Sequence, residues 1–279
     1  MVGPDWVYYI TGMNHMITMK RIQHQLPEGI LLRLARLPDA QQFILRGGML
    51  LRHWFRPIPR TAADLDLVAT FPFHIEKTGE RFFPVLTDNS VNDGVLFNRD
   101  RYRVEGIWLN TNFPGVRIYV CGETEGEEVE FSIDVTFNEP LIPEPVLAEY
   151  RAEHSGQTAQ LWMCRPETIL GRKLHALKHM GKLHWRPKDL NDIRLLLQRV
   201  PMYEDDLPAA IVASFTSRGE APETAKLLFT DNPCWAMKRS AARWYEFVRN
   251  NPDMKISADL TKIVETVSEQ LQPILDRLP

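Results

Sequence analysis

The chain has 279 residues, 44% of them hydrophobic and 25% charged, with a net charge of −3. That composition fits a globular protein with one large core or two smaller ones, and the near-neutral balance gives no global argument for nucleic-acid binding. Three scattered cysteines without a C-x-x-C argue against a disulfide framework or zinc knuckle, no apolar run reaches the roughly 20 residues of a membrane span, and the N-terminal MVGPDWVYYITG does not resemble a secretory leader, so the expected setting is the cytoplasm.

Residues 15–37 carry an imperfect apolar stripe at helical spacing, ended by Pro38-Asp39. The next stretch, 43–68, organises the chain. Phe43 to Leu45 predict a short strand, Gly47-Gly48 a turn, Met49 to Phe55 a helix stopped by Pro57 and Pro59, and Leu65 to Val68 a second strand. Side chains alternate along a strand, so Asp64 and Asp66 share a face about 7 Å apart. Two like charges on an apolar strand repel, and hard carboxylate oxygens suit Mg²⁺. Alone, the pair is equally consistent with ordinary strand-end aspartates. The glycines ahead of a helix offer backbone N–H groups to an anion, although they also suit a simple tight turn. Arg60 either reaches a phosphate or pairs with a carboxylate; Arg46 is a weaker candidate.

Residues 71–101 are broken by Pro72, Gly79, Pro84, Asn89, Asn92 and Gly94, with short strands expected near 81–86 and 94–97. Strands are expected over 103–109 and 116–121. Glu123, Glu125, Glu127, Glu128 and Glu130 suggest a solvated acidic hairpin loop. Phe131 to Val135 form another strand pattern with Asp134 inside it, as either a salt-bridged core aspartate or a third metal-binding carboxylate. Pro140, Pro143 and Pro145 mark a boundary. The expected architecture is therefore an α/β (α+β) fold with a mixed-sheet domain over 1–145 and a helical domain over 146–279.

Beyond the boundary, a helix starting at Pro166 with Glu167 in its first turn runs to about Met180, and another runs from Lys188 to Val200. Further helices fit 204–217, 222–229, 233–249 and 257–277. Lys173 lies on a stripe with Ile169, Leu177 and Met180, where a lysine either snorkels to the rim or enters a cleft. Asp189 and Asp192 stand in the first turns of the next helix, where acidic residues are favoured in any case. His175 and His179 are four apart with His184 nearby, but the glutamate of H-E-x-x-H is missing, so exposed or RNA-facing histidines are expected rather than a zinc site. Residues 165–199 hold nine Lys or Arg against three Asp or Glu, which in a chain of net charge −3 leaves the remainder at −9. Such a basic stretch either steers RNA phosphates or is a set of solvated helices.

Gly47-Gly48, Arg60, Asp64-Leu65-Asp66, FSIDV at 131–135, the helix from Glu167 to Lys173-Leu174, and RPKDLNDI at 186–193 together resemble the AbiEii/AbiGii toxin family, the nucleotidyltransferase toxins of type IV toxin–antitoxin systems. The resemblance spans roughly residues 40–200. It departs where the family often has Ser or Thr two residues before the first aspartate and this chain has Ala62. The resemblance implies transfer of a nucleoside monophosphate from an NTP to an acceptor hydroxyl, a tRNA 3′ end being one acceptor used by relatives, and a possible antitoxin partner. It assigns Asp64, Asp66 and Asp134 to Mg²⁺ (or Mn²⁺), Gly47, Gly48, Arg60 and Lys173 to the triphosphate, and Lys173 and Asp189 to the catalytic set. A non-catalytic nucleotide-binding regulator and a protein-modifying nucleotidyltransferase are the alternatives.

Overall fold

The structure, a computed structural model, describes residues 24–55, 62, 64–124, 126–230 and 235–279. The order is a first helix, α1, described over 24–34, followed by β1 (Phe43–Arg46), α2 (Gly47–Trp54), β2 (Leu65–Ala69), α3 (Ile75–Phe82), α4 (Pro84–Thr87), β3 (Leu96–Ile107), β4 (Gly115–Thr124), β5 (Glu127–Thr136), β6 (Val146–Arg151) and β7 (Thr158–Met163). Six helices follow: α5 (Pro166–His184), α6 (Pro187–Arg199), α7 (Asp206–Thr216), α8 (Leu227–Thr230), α9 (Lys238–Arg249) and α10 (Leu260–Leu275). The fold is α/β with a mixed sheet, as expected. Among the described residues, no helix is long and apolar enough to cross a membrane.

The chain divides into two compact units. The first gathers the described residues of Met1–Met49, Thr61–Asn138 and Leu147–Trp162; the second gathers those of Leu50–Arg60, Glu139–Val146 and Met163–Pro279.

The first unit is built on a seven-stranded sheet ordered β3-β4-β5-β2-β1-β7-β6. β2 runs parallel to β5, while β1–β2, β4–β5 and β3–β4 are antiparallel. Register follows from alternation. Leu65, Ile133 and Ile118 align across β2, β5 and β4, and so do Leu67, Val135 and Val116; all six are fully buried. A one-residue slip would turn both apolar rows to the opposite face, so the pairing is strongly specified.

Two buried ionic contacts tie α1 to the loops around the sheet. Arg33 grips Asp93 through two hydrogen bonds of 2.6 and 3.1 Å, and donates to the carbonyls of Asp88 and Val95. Glu28 accepts the backbone N–H groups of Glu153 and His154, both at 3.1 Å, in the turn between β6 and β7. Each buried charge thus meets the donors or acceptors that its desolvation demands.

Three local expectations change. Residues 81–86 lie in α3 and α4 rather than in a strand. Pro84 opens α4 at its first turn, where a missing N–H costs nothing. The acidic segment is not only a loop, because β4 and β5 extend through Thr124 and from Glu127, and Glu128 and Glu130 pair with Arg101 and Arg103 on β3. Two unanticipated strands, β6 and β7, follow the prolines before the helices begin.

The second unit is helical. α5 packs on α6 and most closely on α7, while α6 receives α9 and α10. Its core includes Leu170, Leu174, Leu190, Ile193, Ile211, Phe215, Val267 and Leu271. Its two buried tryptophans, Trp185 and Trp244, spend their indole N–H groups on Ser240 Oγ at 3.1 Å and on the Ser257 carbonyl at 2.9 Å. α5 is kinked at Gly181, whose φ of 57° and ψ of −163° are non-helical.

Candidate active site

Asp66 and Asp134 are register partners on the adjacent parallel strands β2 and β5. Register also aligns Arg46 on β1 with Asp66, and Arg117 on β4 with Asp134. Four strands therefore carry one polar row, Arg46–Asp66–Asp134–Arg117, on the face opposite the apolar rows. Neighbouring strands lie about 4.8 Å apart, so the two carboxylates are brought side by side. Of the three aspartates assigned to metal from the sequence, register pairs Asp66 with Asp134, and Asp64 lies just before β2.

The row alternates as plus, minus, minus, plus. Arg117 donates from Nε to Asp134 Oδ1 at 2.7 Å and from its terminal nitrogen to Oδ2 at 2.8 Å, a two-pronged guanidinium–carboxylate pair. The Asp134 side chain is 5% exposed and that of Arg117 34%. Hydrogen bonding to Asp134 pushes the Arg117 pKa up, against the opposing effect of burial. Arg46 stands 3.5 Å from Asp66 Oδ1, a looser contact, and its own buried Nε has no hydrogen-bond partner.

The glycine pair is the first turn of α2 rather than a separate turn before it. Gly47 has φ +69°, and a Cβ there would lie 2.0 Å from Asp66 Oδ2. Glycine is needed at this position twice over, for the left-handed backbone and for the carboxylate that fills the side-chain space. The first turn of α2 thus begins beside Asp66, where a helix presents the positive end of its dipole. Asp64 precedes β2 and is half-buried. Arg60, and Thr61 beside Ala62, lie outside the described residues.

The donor set fits a divalent cation of the magnesium class. Carboxylate oxygens are its preferred ligands, and each carboxylate has about four lone-pair positions. Arg117 uses one on each oxygen of Asp134, which leaves the others for a metal.

In the helical unit, the structure brings Lys173, Asp189 and Asp192 together. Lys173 Nζ is 3.0 Å from Asp189 Oδ1 and 2.8 Å from Asp192 Oδ2, with the lysine side chain 13% exposed. Arg186 completes the cluster at 2.7 Å from Asp189 Oδ2. The lysine neither snorkels nor faces bulk water; it neutralises two buried carboxylates in the first turns of α6. Lys173 and Asp189, both placed in the catalytic set by the family resemblance, are thus in direct contact.

The basic stretch over 165–199 is less basic than its composition. Arg165, Arg172, Lys173, Lys178 and Arg186 are each ion-paired, and the partners Glu139, Asp206 and Glu220 come from outside the stretch. The charge argument for RNA steering is weakened accordingly. Nor is His175 exposed as expected: it is buried under Phe215, which meets its ring edge-on at 5.2 Å.

Arg117 was the functional neighbour missed in the sequence. Its signal was a cation on an apolar strand, but only the β4–β5 register shows that it faces Asp134.

Comparisons with known proteins bear on the fold and the family. A candidate nucleotidyltransferase from H. pylori is similar over 93% of this chain and 96% of its own, with TM-score 0.55 and 16% identity. JHP933 from Helicobacter pylori is similar over 92% of both chains, with TM-score 0.55 and 17% identity. At these identities the likeness shows a shared fold. No curated protein matches the chain. The model of the family described as nucleotidyl transferase AbiEii toxin, type IV toxin–antitoxin system, matches residues 29–270, and the chain belongs to that family.

Proposed function

We propose that the chain transfers a nucleoside monophosphate from an NTP to an acceptor hydroxyl, with Mg²⁺ or Mn²⁺ held by Asp64, Asp66 and Asp134. The observation that carries this reading is the side-by-side placement of Asp66 and Asp134 at the N-terminus of α2. The acceptor hydroxyl gives up its proton to a carboxylate of the set as its oxygen bonds to the α-phosphorus, the α–β phosphoanhydride bond breaks, and pyrophosphate leaves. When bound, the divalent cations supply charge neutralisation at the phosphates and activation of the attacking hydroxyl.

The protein's own groups supply the rest. In this reading the N–H groups of Gly47 and Gly48, in the first turn of α2, take the role of donors to phosphate oxygens, with Arg46 on the preceding strand as a further cation. Arg117 keeps Asp134 fixed in orientation, because a two-pronged pair resists rotation about the carboxyl axis. Arg60 is the further candidate for phosphate contact. Lys173 is nominated by the family resemblance for the triphosphate, with Asp189 as its orienting partner; binding through it requires exchange of its aspartate contacts for phosphate.

The type IV family implies an antitoxin partner. A tRNA 3′ end is the acceptor we favour, on the strength of the family alone. The test is incubation of the full chain with each labelled NTP and Mg²⁺, in the presence of total RNA and cell extract. Label on RNA with equal pyrophosphate release supports the reading. Label on protein identifies a protein-modifying enzyme, and NTP binding without pyrophosphate release identifies a regulator; either result overturns the RNA-directed reading.

A further inference from the structure

A second cluster of metal-ligand side chains lies in the helical unit, independent of the carboxylate row. Gly171, His175 and His179 are spaced four apart on α5, so they form one stripe. At Gly171 the backbone of α7 comes so close that a Cβ would lie 2.7 Å from the Ala210 carbonyl oxygen. The stripe therefore faces α7 at short range.

α7 ends in a Schellman turn. Gly219 has φ +72°, its N–H donates to the Thr216 carbonyl at 3.0 Å, and the Glu220 N–H donates to the Phe215 carbonyl at 3.1 Å. This turn fixes the backbone of Glu220 beside the two imidazoles. Glu220 Oε1 lies 3.3 Å from His175 Nε2 and 3.6 Å from His179 Nδ1. One donor atom from each of the three residues falls within 4.8 Å of the others. Around a tetrahedral zinc ion with bonds of about 2.0–2.1 Å, adjacent donors are about 3.3–3.4 Å apart. The two measured edges are close to that value.

The independent observation is His175 itself. It is 6% exposed, and its Nε2 is buried without a hydrogen-bond partner although it points at Glu220. At 3.3 Å the imidazole nitrogen and the carboxylate oxygen lie near each other. A buried imidazole nitrogen with no hydrogen-bond partner, beside a carboxylate and a second imidazole, is a position for a shared cation. The two rings stack with centroids 5.6 Å apart at 20°. The neighbouring cations are otherwise engaged: Lys178 Nζ binds the other oxygen, Glu220 Oε2, at 2.9 Å, and Arg218 binds Glu139 at 2.7 Å.

We propose that His175, His179 and Glu220 bind a Zn²⁺-class divalent cation that clamps α5 to the turn closing α7. Two imidazoles and one carboxylate select a borderline transition metal over Mg²⁺. Three protein ligands leave one coordination position open, on the side of His179, whose side chain is 66% exposed.

The test uses the full chain carrying Asp66→Asn and Asp134→Asn, so that the carboxylate row does not contribute. Metal-free protein is titrated with Zn²⁺ against a chromophoric chelator, and in parallel with Co²⁺ for its visible d–d bands. One equivalent of Zn²⁺, an intense Co²⁺ spectrum of low coordination number and a Zn²⁺-dependent rise in Tm of several degrees are expected. His179→Ala and Glu220→Gln should each weaken Zn²⁺ binding at least tenfold and remove the Tm rise. His179 is exposed, so that variant remains testable by circular dichroism even where His175→Ala fails to fold. Absence of a Zn²⁺-dependent Tm rise, or unchanged affinity in both His179→Ala and Glu220→Gln, would overturn the assignment.

Discussion

Arg117 offers the sharpest test of the polar row, through a double-mutant cycle with Asp134. Asp66 and Asp134 face each other across about 5 Å, and at an effective dielectric of 20 their repulsion is about 3 kcal/mol. Arg117 offsets it on one side through two short hydrogen bonds. Arg117→Met leaves Asp134, 5% exposed, beside Asp66 without its partner. Breaking a buried pair in this way costs about 3–5 kcal/mol. At about 2–4 °C per kcal/mol, metal-free Tm should fall by about 6–20 °C. Asp134→Asn loses the same hydrogen bonds but also removes the repulsion, and leaves Arg117, one-third exposed, with access to water. It should lie within about 2 kcal/mol of wild type. The double variant should then be more stable than Arg117→Met alone, with a coupling of about 2 kcal/mol or more. Thermal melts without metal measure all four corners. Mg²⁺-dependent nucleotide incorporation adds the functional axis: Asp134→Asn should fall about a thousandfold, and Arg117→Met, which keeps the carboxylate, far less. An Arg117→Met protein that melts with wild type, or a double variant no more stable than Arg117→Met, refutes the electrostatic account of the row.

Two further substitutions probe the other parts of the site. Gly47→Ala should abolish nucleotide incorporation and cost about 1–3 kcal/mol, because it strains a left-handed residue and displaces the Asp66 carboxylate; wild-type activity and Tm together would show that the close contact is not required. Lys173→Met should lower Tm whatever its effect on transfer, since two buried aspartates lose their shared cation at about 3–5 kcal/mol; an unchanged melt would mean that Arg186 alone neutralises the cluster.

The parts of the fold governed by local pattern were legible in the sequence. β1, α2 and β2 follow from an apolar run, a glycine pair and alternation around Asp66, and α5 and α6 from proline starts and helical stripes. Asp66 and Asp134 could each be picked out as a carboxylate within an apolar strand pattern, while their side-by-side register comes from strand pairing. What pairing decides was not legible. Arg117 faces Asp134 through a register set by the β4–β5 hairpin, and no spacing rule on one strand reports it. Glu220 meets His175 only because Gly171 lets α7 approach α5, so a helix-local motif search missed the third ligand. β6 and β7 were hidden by the prolines before them, which signal an end of regular structure more strongly than two short strands signal its return.

The outer strand β3 has a consequence for how the molecule meets its own copies. It is twelve residues long and, among the described residues, ends the sheet on one side, and an edge strand is a template on which another chain's strand could grow. Its register with β4 breaks between Asn98 and Arg103, where four consecutive residues, Asn98 to Asp100 and then Arg101, carry polar or charged side chains. Arg101 and Arg103 are tethered inward to Glu128 and Glu130. A kinked, charged border of this kind offers an incoming strand neither a straight ladder nor an apolar face, and it shields the sheet from edge-to-edge aggregation.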